Sequence, residues 1–231
     1  MDQRHTHILL GLIDEYIKTA QPVGSSGLAK ALRLDISPAT IRMVLHELDQ
    51  TGYIMQPHTS AGRAPTDKGY RFYVEHLKNK QQSIDSILVK LIAEYQQLAQ
   101  TTGALPAAAH ILSELAESFV MTSSLPDGRI EQSGMSNLIN QDEMDTLPAV
   151  KEVSWFADHL KNHLEKLVDD DHLTNVYIGR ENPVYESDYT SLIVKSIDHP
   201  IQGKCVIAII GPKRMAYQRN ISLINKISDL I

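Results

Sequence analysis

The chain has 231 residues, 42% of them hydrophobic and 22% charged, which excludes a disordered or fibrous protein and suits one large domain or two small ones. The formal charge of −6 hides an asymmetry: residues 1–83 carry 10 Lys and Arg against 8 Asp and Glu, whereas residues 84–231 carry 12 against 20. An acidic total therefore leaves nucleic acid open as a partner, because the local surface meets the phosphates.

The N-terminus, Met1-Asp2-Gln3-Arg4-His5, has no basic stretch leading into an apolar core, so a cytoplasmic protein is expected. Ile8, Leu9, Leu12, Ile13, Tyr16 and Ile17 form one apolar stripe of a helix that should stop near Thr19, ahead of Gln21-Pro22. Gly24-Ser25-Ser26 opens a short second helix bearing Leu28 and Leu32, which Leu34-Asp35-Ile36 breaks. Ser37 is an N-cap with Pro38 at the first helical position, and a third helix follows to about Gln50, stopped by Gly52. Tyr53–Gln56 then reads as a strand, residues 58–64 as a small polar tip and Ala64-Pro65 as the return of a hairpin. Thr66-Asp67 caps a further helix. Short helices, a tight turn and a hairpin are the layout of a winged helix-turn-helix.

The third helix carries the functional signal. At about 100° per residue, Ile41, Val44, Leu45 and Leu48 cluster on a core face, and Ala39, Arg42, Met43, His46 and Gln50 lie opposite. A major-groove reader needs that outer face small, polar or cationic near the helix start, and an arginine there bridges guanine O6 and N7. Candidate base-reading residues are Ser37, Ala39, Thr40, Arg42, Met43 and His46. In the hairpin and after it, His58, Thr59, Ser60, Gly62, Arg63, Lys68 and Arg71 are candidate phosphate contacts, with Arg63 expected to support binding to all sequences alike.

Ile84, Leu88, Leu91, Tyr95 and Leu98 recur by four and three along a helix between Ser83 and Gln100, a seam for a partner helix or for docking on its own domain. Thr101–Pro106 reads as a break and a domain boundary. Beyond it, a helix over 111–117, strands at 119–123, 130–133, 176–178, 191–197 and 204–210, and helices over 151–168 and 214–230 predict a mostly antiparallel sheet backed by helices. The longest apolar run of this kind, Cys205–Ile210, falls well short of the roughly 18 residues of a membrane span. The one cysteine, Cys205, sits in this run, reads as a small buried hydrophobe, and rules out an internal disulfide or a cysteine-based metal site. The expected division is residues 1–82 for the winged helix, 83–103 for a linker or dimerisation helix, and 104–231 for the α+β domain.

Pro22-Val-Gly-Ser25, Ser37-Pro-Ala-Thr-Ile-Arg42, Leu48-Asp-Gln-Thr-Gly-Tyr53 and the long run from Gln56 to Tyr73 resemble the heat-inducible transcription repressor family HrcA. Gly134–Leu138, Val176–Asn182 and Gly211–Tyr217 resemble its C-terminal domain. The resemblance implies a winged helix followed by a GAF-like sensor domain, in a homodimer that binds the inverted-repeat operator called CIRCE on double-stranded DNA. It also implies repression of chaperone operons, release on heat stress, and a chaperonin that keeps the repressor folded. The chain departs from the family in two ways. It is about a hundred residues shorter, with Asp127-Gly128 making a tight turn near where the family's inserted dimerisation domain belongs, and Met43 stands where a polar residue is expected.

Rival classes find less support. His159 and His163 lie one helical turn apart, but Leu160 occupies the place of a zincin's glutamate, so a surface pair is expected. Asp169–Asp171 reads as a solvated helix end, and neither a glycine-rich phosphate loop nor a nucleophile elbow occurs. The loop Gly211–Arg214 suits helix capping better than anion binding. No enzyme activity, metal or cofactor is expected. The alternative function is a small-molecule-responsive repressor using the GAF-like domain as sensor; a nucleic-acid-independent assembly protein stands third.

Overall fold

The structure, a computed structural model, describes residues 1–32, 36–59, 61–77, 87–160, 163–168 and 171–231, with the backbone alone for 87–91, 156–157, 160 and 164–165. The chain divides into two compact units, Met1–Lys80 and Gln81–Ile231.

In the first unit, α1 (Gln3–Thr19) starts at Asp2, whose carboxylate accepts from the His5 amide, and ends at Ala20 with φ +54°. The predicted stripe is buried, with Ile8, Leu9, Leu12 and Ile13 at 0% exposure. α2 (Ser25–Leu32) adds Leu28 to this core. The Ser37 hydroxyl accepts from the Thr40 amide, Pro38 takes the first position, and α3 runs Pro38–Gln50. Ile41, Val44, Leu45 and Leu48 of α3 are buried. Burial of each such side chain contributes about 1.5–3 kcal/mol, so these four fix the rotation of α3 and with it the face that turns outward.

A hairpin follows, in which β1 (Ile54–Met55) pairs antiparallel with β2 (Ala64–Pro65). A bridge between Val23 and Arg63, with backbone hydrogen bonds of 2.9 Å in both directions, ties the hairpin to the segment before α2. α4 (Asp67–Leu77) begins after Thr66, whose hydroxyl accepts from the Gly69 amide and donates to the Gly52 carbonyl. Gly69 makes room for the neighbouring Tyr53 carbonyl, whose oxygen a Cβ there would meet at 2.2 Å.

The second unit opens with α5 (Ile87–Thr102) and α6 (Ala104–Ala116), packed on each other. The expected break over Thr101–Pro106 shrinks to Gly103, at φ +96°. Pro106 lies within the first turn of α6, where its missing N–H has no partner to lose. The sheet comprises β3 (Phe119–Ser124), β4 (Arg129–Ser133), β5 (Thr174–Ile178), β6 (Thr190–His199) and β7 (Gly203–Pro212). Their order is β4-β3-β7-β6-β5, and every ladder is antiparallel. β3 and β4 join through four residues, 125–128.

Alternate residues of the central strands feed two cores. Phe119, Met121, Leu192, Val206 and Ala208 pack with Leu138 and Val153, which come from α7 (Met135–Ile139) and α8 (Leu147–Leu160). On the other face α6 and α9 (Tyr217–Ser228) cover the sheet. The Thr122 hydroxyl donates to the Leu105 carbonyl of α6 at 3.0 Å, and the Lys195 ammonium donates to Asn225 Oδ1 of α9 at 2.9 Å. Two predicted helices are shorter than expected. α8 stops at Leu160 and a 3-10 turn covers Leu164–Leu167. α9 starts at Tyr217 because the Pro212 carbonyl accepts from the Met215 amide, a turn that keeps Arg214 outside the helix. The architecture is mixed α/β with an antiparallel sheet.

Candidate nucleic-acid interface

The outward face of α3 holds Ala39, Arg42, Met43 and His46, all exposed. No acidic residue lies in the first turn of α3, so none of the helix's own side chains offsets its positive dipole end there. Ser37 and Thr40 are engaged locally: the Ser37 hydroxyl lies 3.0 Å from the Thr40 hydroxyl and accepts from its amide at 3.1 Å. They build the start of the helix. The Gln50 amide nitrogen donates to His46 Nε2 at 3.0 Å, orienting the imidazole along the helix surface. Gln50 was visible in the sequence as a residue four positions on, the spacing at which helix side chains meet.

Arg42 lines a cleft of about 410 Å³ together with Gly24 and Ser25 at the start of α2 and Gln56, Gly62 and Arg63 of the hairpin. This geometry brings Arg42 and Arg63, 21 positions apart in sequence, to one concavity.

The hairpin residues divide by role. His58 and Thr59 are exposed at the tip. The Gln56 side chain pins that tip by donating to the Thr59 and Ala61 carbonyls at 2.9 and 3.0 Å, a role the sequence did not disclose. Ser60 lies outside the described residues. Gly62, expected to lend its amide to phosphate, has a packing reason: a Cβ there would stand 2.5 Å from the Val23 carbonyl carbon. Arg63 is half-buried, its Nε 3.0 Å from an Asp49 carboxylate oxygen near the end of α3. The Lys68 ammonium donates to the Thr51 carbonyl at 2.8 Å and sits 4.3 Å from the centre of the Tyr53 ring. That contact satisfies a carbonyl just beyond the α3 C-terminus. Arg71 is half-buried on α4. Of the cations expected on phosphate, Arg63 and Lys68 are thus also internal braces.

His5 is a further residue that sequence reading missed. Its Nδ1 lies 2.8 Å from Asp2 and its Nε2 2.7 Å from Glu47 of α3. The hydrogen bonds to Asp2 and then Glu47 raise its pKa above the usual imidazole value.

Of the expected dimerisation seam, Ile84 lies outside the described residues, and only the backbone is described at Leu88 and Leu91. Tyr95 is 3% exposed and Leu98 half-buried. The Tyr95 ring is therefore covered within the chain, and burial raises the pKa of its hydroxyl.

Residues considered for other chemistry have structural partners. His159 Nδ1 lies 2.7 Å from the Trp155 carbonyl and its ring stacks on Trp155 at 3.8 Å, while His163 falls beyond the end of α8. Asp169 and Asp170 lie outside the described residues. Arg214 pairs with Glu143, which removes it from an anion role at the 211–214 loop. Cys205 is buried, and desolvation raises its thiol pKa. Among the described residues, no group of three or more His, Cys, Asp or Glu could hold a metal ion, and no helix is long and apolar enough to cross a membrane.

Comparison with known proteins connects both units to one family. Residues 71–221 match the family described as HrcA protein C terminal domain. The heat-inducible transcription repressor HrcA of Pelotomaculum thermopropionicum is 50% identical over 82 residues, covering 36% of this chain and 24% of that protein. The corresponding protein of Thermodesulfovibrio yellowstonii is 26% identical over 331 aligned positions, covering 97% of this chain and 95% of the relative. That alignment exceeds the 231 residues of this chain, so the relative carries segments this chain lacks. Against several other relatives the matched part is about a third or less of their length, as with 30% for the HrcA of Desulforamulus reducens. A solved structure titled as a hypothetical protein at 2.2 Å resolution superposes with TM-score 0.82 over 100% of this chain and 97% of the other, at 19% identity, a likeness of fold. With the match over residues 71–221 extending through most of the second unit and the repressor matches reaching the first, the chain belongs to the HrcA family.

Proposed function

We propose that this chain is a sequence-specific transcriptional repressor whose first unit is a winged helix-turn-helix. The observation that carries the reading is the division of α3: Ile41, Val44, Leu45 and Leu48 are buried while Ala39, Arg42, Met43 and His46 stand open beside a pinned hairpin. In this reading α3 enters the major groove, with Arg42 directed at a guanine edge, and the hairpin tip at His58 and Thr59 follows the flanking backbone. The names of the relatives supply the biological context of heat-inducible repression. The operator is an inverted repeat near chaperone genes, bound by a cytoplasmic homodimer whose two α3 helices lie about 34 Å apart in successive grooves. The second unit has the role of a GAF-like regulatory domain. Heat lowers occupancy because folding and dimerisation are linked to binding, so losing either releases DNA. The chaperonin enters through the family resemblance, as the partner that restores the folded repressor.

Fluorescence anisotropy of the full chain on an inverted-repeat duplex, a half-site and random DNA, over a salt series with and without chaperonin, tests the reading. Tight binding to the inverted repeat alone supports it. Equal, weak and salt-sensitive binding to all three contradicts it. Light scattering of a Leu88→Glu, Leu91→Glu variant tests the dimer seam, which is excluded if that folded variant remains dimeric.

A further inference from the structure

Among the described residues of the first unit, the large apolar side chains that stand open are Met1 at the terminus, Met43 on α3 and Met55 on β1. Met43 is 55% exposed, opposite the four buried residues of α3. One turn before it stands Ala39, whose short side chain leaves the helix open to close approach, and one turn after it His46 is held by Gln50. The adjacent Arg42 and the absence of acids in the first turn make this end of α3 complementary to polyanionic DNA. The two acids farther along are engaged, Glu47 with His5 and Asp49 with Arg63. An exposed methionine in that setting suits an apolar group carried by a polyanion.

On the major-groove edges of the four bases, the one methyl group is the C5-methyl of thymine; the other distinguishing groups are hydrogen-bond donors and acceptors, with a bare C5–H on cytosine. A thioether is a weak acceptor and no donor, so Met43 has little to offer those positions. Its unbranched, polarizable chain fits a methyl group well. Resting on the reading of α3 as the base-contacting helix, we propose that Met43 is a specificity-determining residue that reads one thymine per half-site through its 5-methyl group.

The test uses the full chain and the inverted-repeat duplex it selects from a randomised pool. Each thymine is replaced in turn by deoxyuridine, which removes only the methyl group. The expected result is one position per half-site at which replacement weakens wild-type binding about fourfold, the ratio given by ~0.8 kcal/mol for one buried methyl-sized group. Met43→Ala should bind the unmodified duplex more weakly by the same ratio and be indifferent to deoxyuridine there. Met43→Leu should retain the sensitivity. A wild-type protein that prefers the selected repeat over random DNA but tolerates deoxyuridine everywhere overturns the proposal alone. Sensitivity that persists in Met43→Ala overturns it as well. Loss of the dimer in Met43→Ala by light scattering would place the side chain against a second copy instead. Selection of no sequence at all overturns both this proposal and the reading beneath it.

Discussion

α3 and the hairpin that follows it were both expected to touch DNA, and the structure treats their residues differently. On α3, Ala39, Arg42, Met43 and His46 turn outward because four buried neighbours fix the rotation of the helix. In the hairpin and after it, two cationic groups are engaged with the chain itself: half-buried Arg63 with Asp49, and exposed Lys68 with the Thr51 carbonyl and the Tyr53 ring. Periodicity therefore reports which side chains are open, whereas a local excess of basic residues does not report what they hold. Under the proposed function, the hairpin acts largely by keeping its exposed tip and the cleft beside Arg42 in place.

Changes in the hairpin should consequently appear as stability losses. The largest is expected for Gly62→Ala, whose new Cβ would lie 2.5 Å from backbone of Val23. Relieving such overpacking costs about 1–3 kcal/mol, visible in denaturant unfolding, and binding to all DNA sequences should weaken together. An unchanged denaturation midpoint would show that the bridge between Val23 and Arg63 does not anchor the hairpin.

A smaller effect is expected for Arg63→Ala. The pair with Asp49 is partly exposed, so its worth is about 0.5–1 kcal/mol after screening. A double-mutant cycle with Asp49→Ala should recover that coupling, and the dependence of affinity on salt should keep its slope. A slope reduced by about one would instead assign Arg63 to a phosphate.

The smallest effect tests how α1 is coupled to α3. His5 bridges Asp2 and Glu47, and its raised pKa means the protonated form is favoured in the folded state. Its contribution to stability is fully present below the unfolded value near 6.5 and is lost as pH rises through the higher folded-state pKa. Thermal melts from pH 6 to pH 9 should thus show a stability loss that His5→Gln lacks. Identical pH profiles for the two proteins would show that the bridge does not couple α1 to α3.

How far these features could be read from sequence follows the range of the interactions. Ser37-Pro38 and the spacing of Ile41, Val44, Leu45 and Leu48 are local signals, and α3 was legible down to its cap. The hairpin strands were legible for the same reason, as short runs bounded by turn residues. His5 meets Glu47 across 42 positions and Lys68 reaches Thr51 across 17, and no local pattern marks such pairings. The start of α6 was missed because Ala104-Leu105-Pro106 carries a breaker residue, although proline in a first turn breaks nothing. In the seam of α5, spacing identified an apolar stripe, but spacing is the same for a stripe that meets a partner and for one that, like Tyr95, is covered within the chain.

If the open face of α3 reads bases, Arg42→Ala should part from wild type on the inverted repeat and not on random DNA. The expected result is a loss of about 1–3 kcal/mol on the inverted repeat, relaxed preference at one base pair, little change on random DNA and an unaltered melting temperature. Equal losses on both DNAs would contradict it and reduce Arg42 to one more contact with the phosphate backbone.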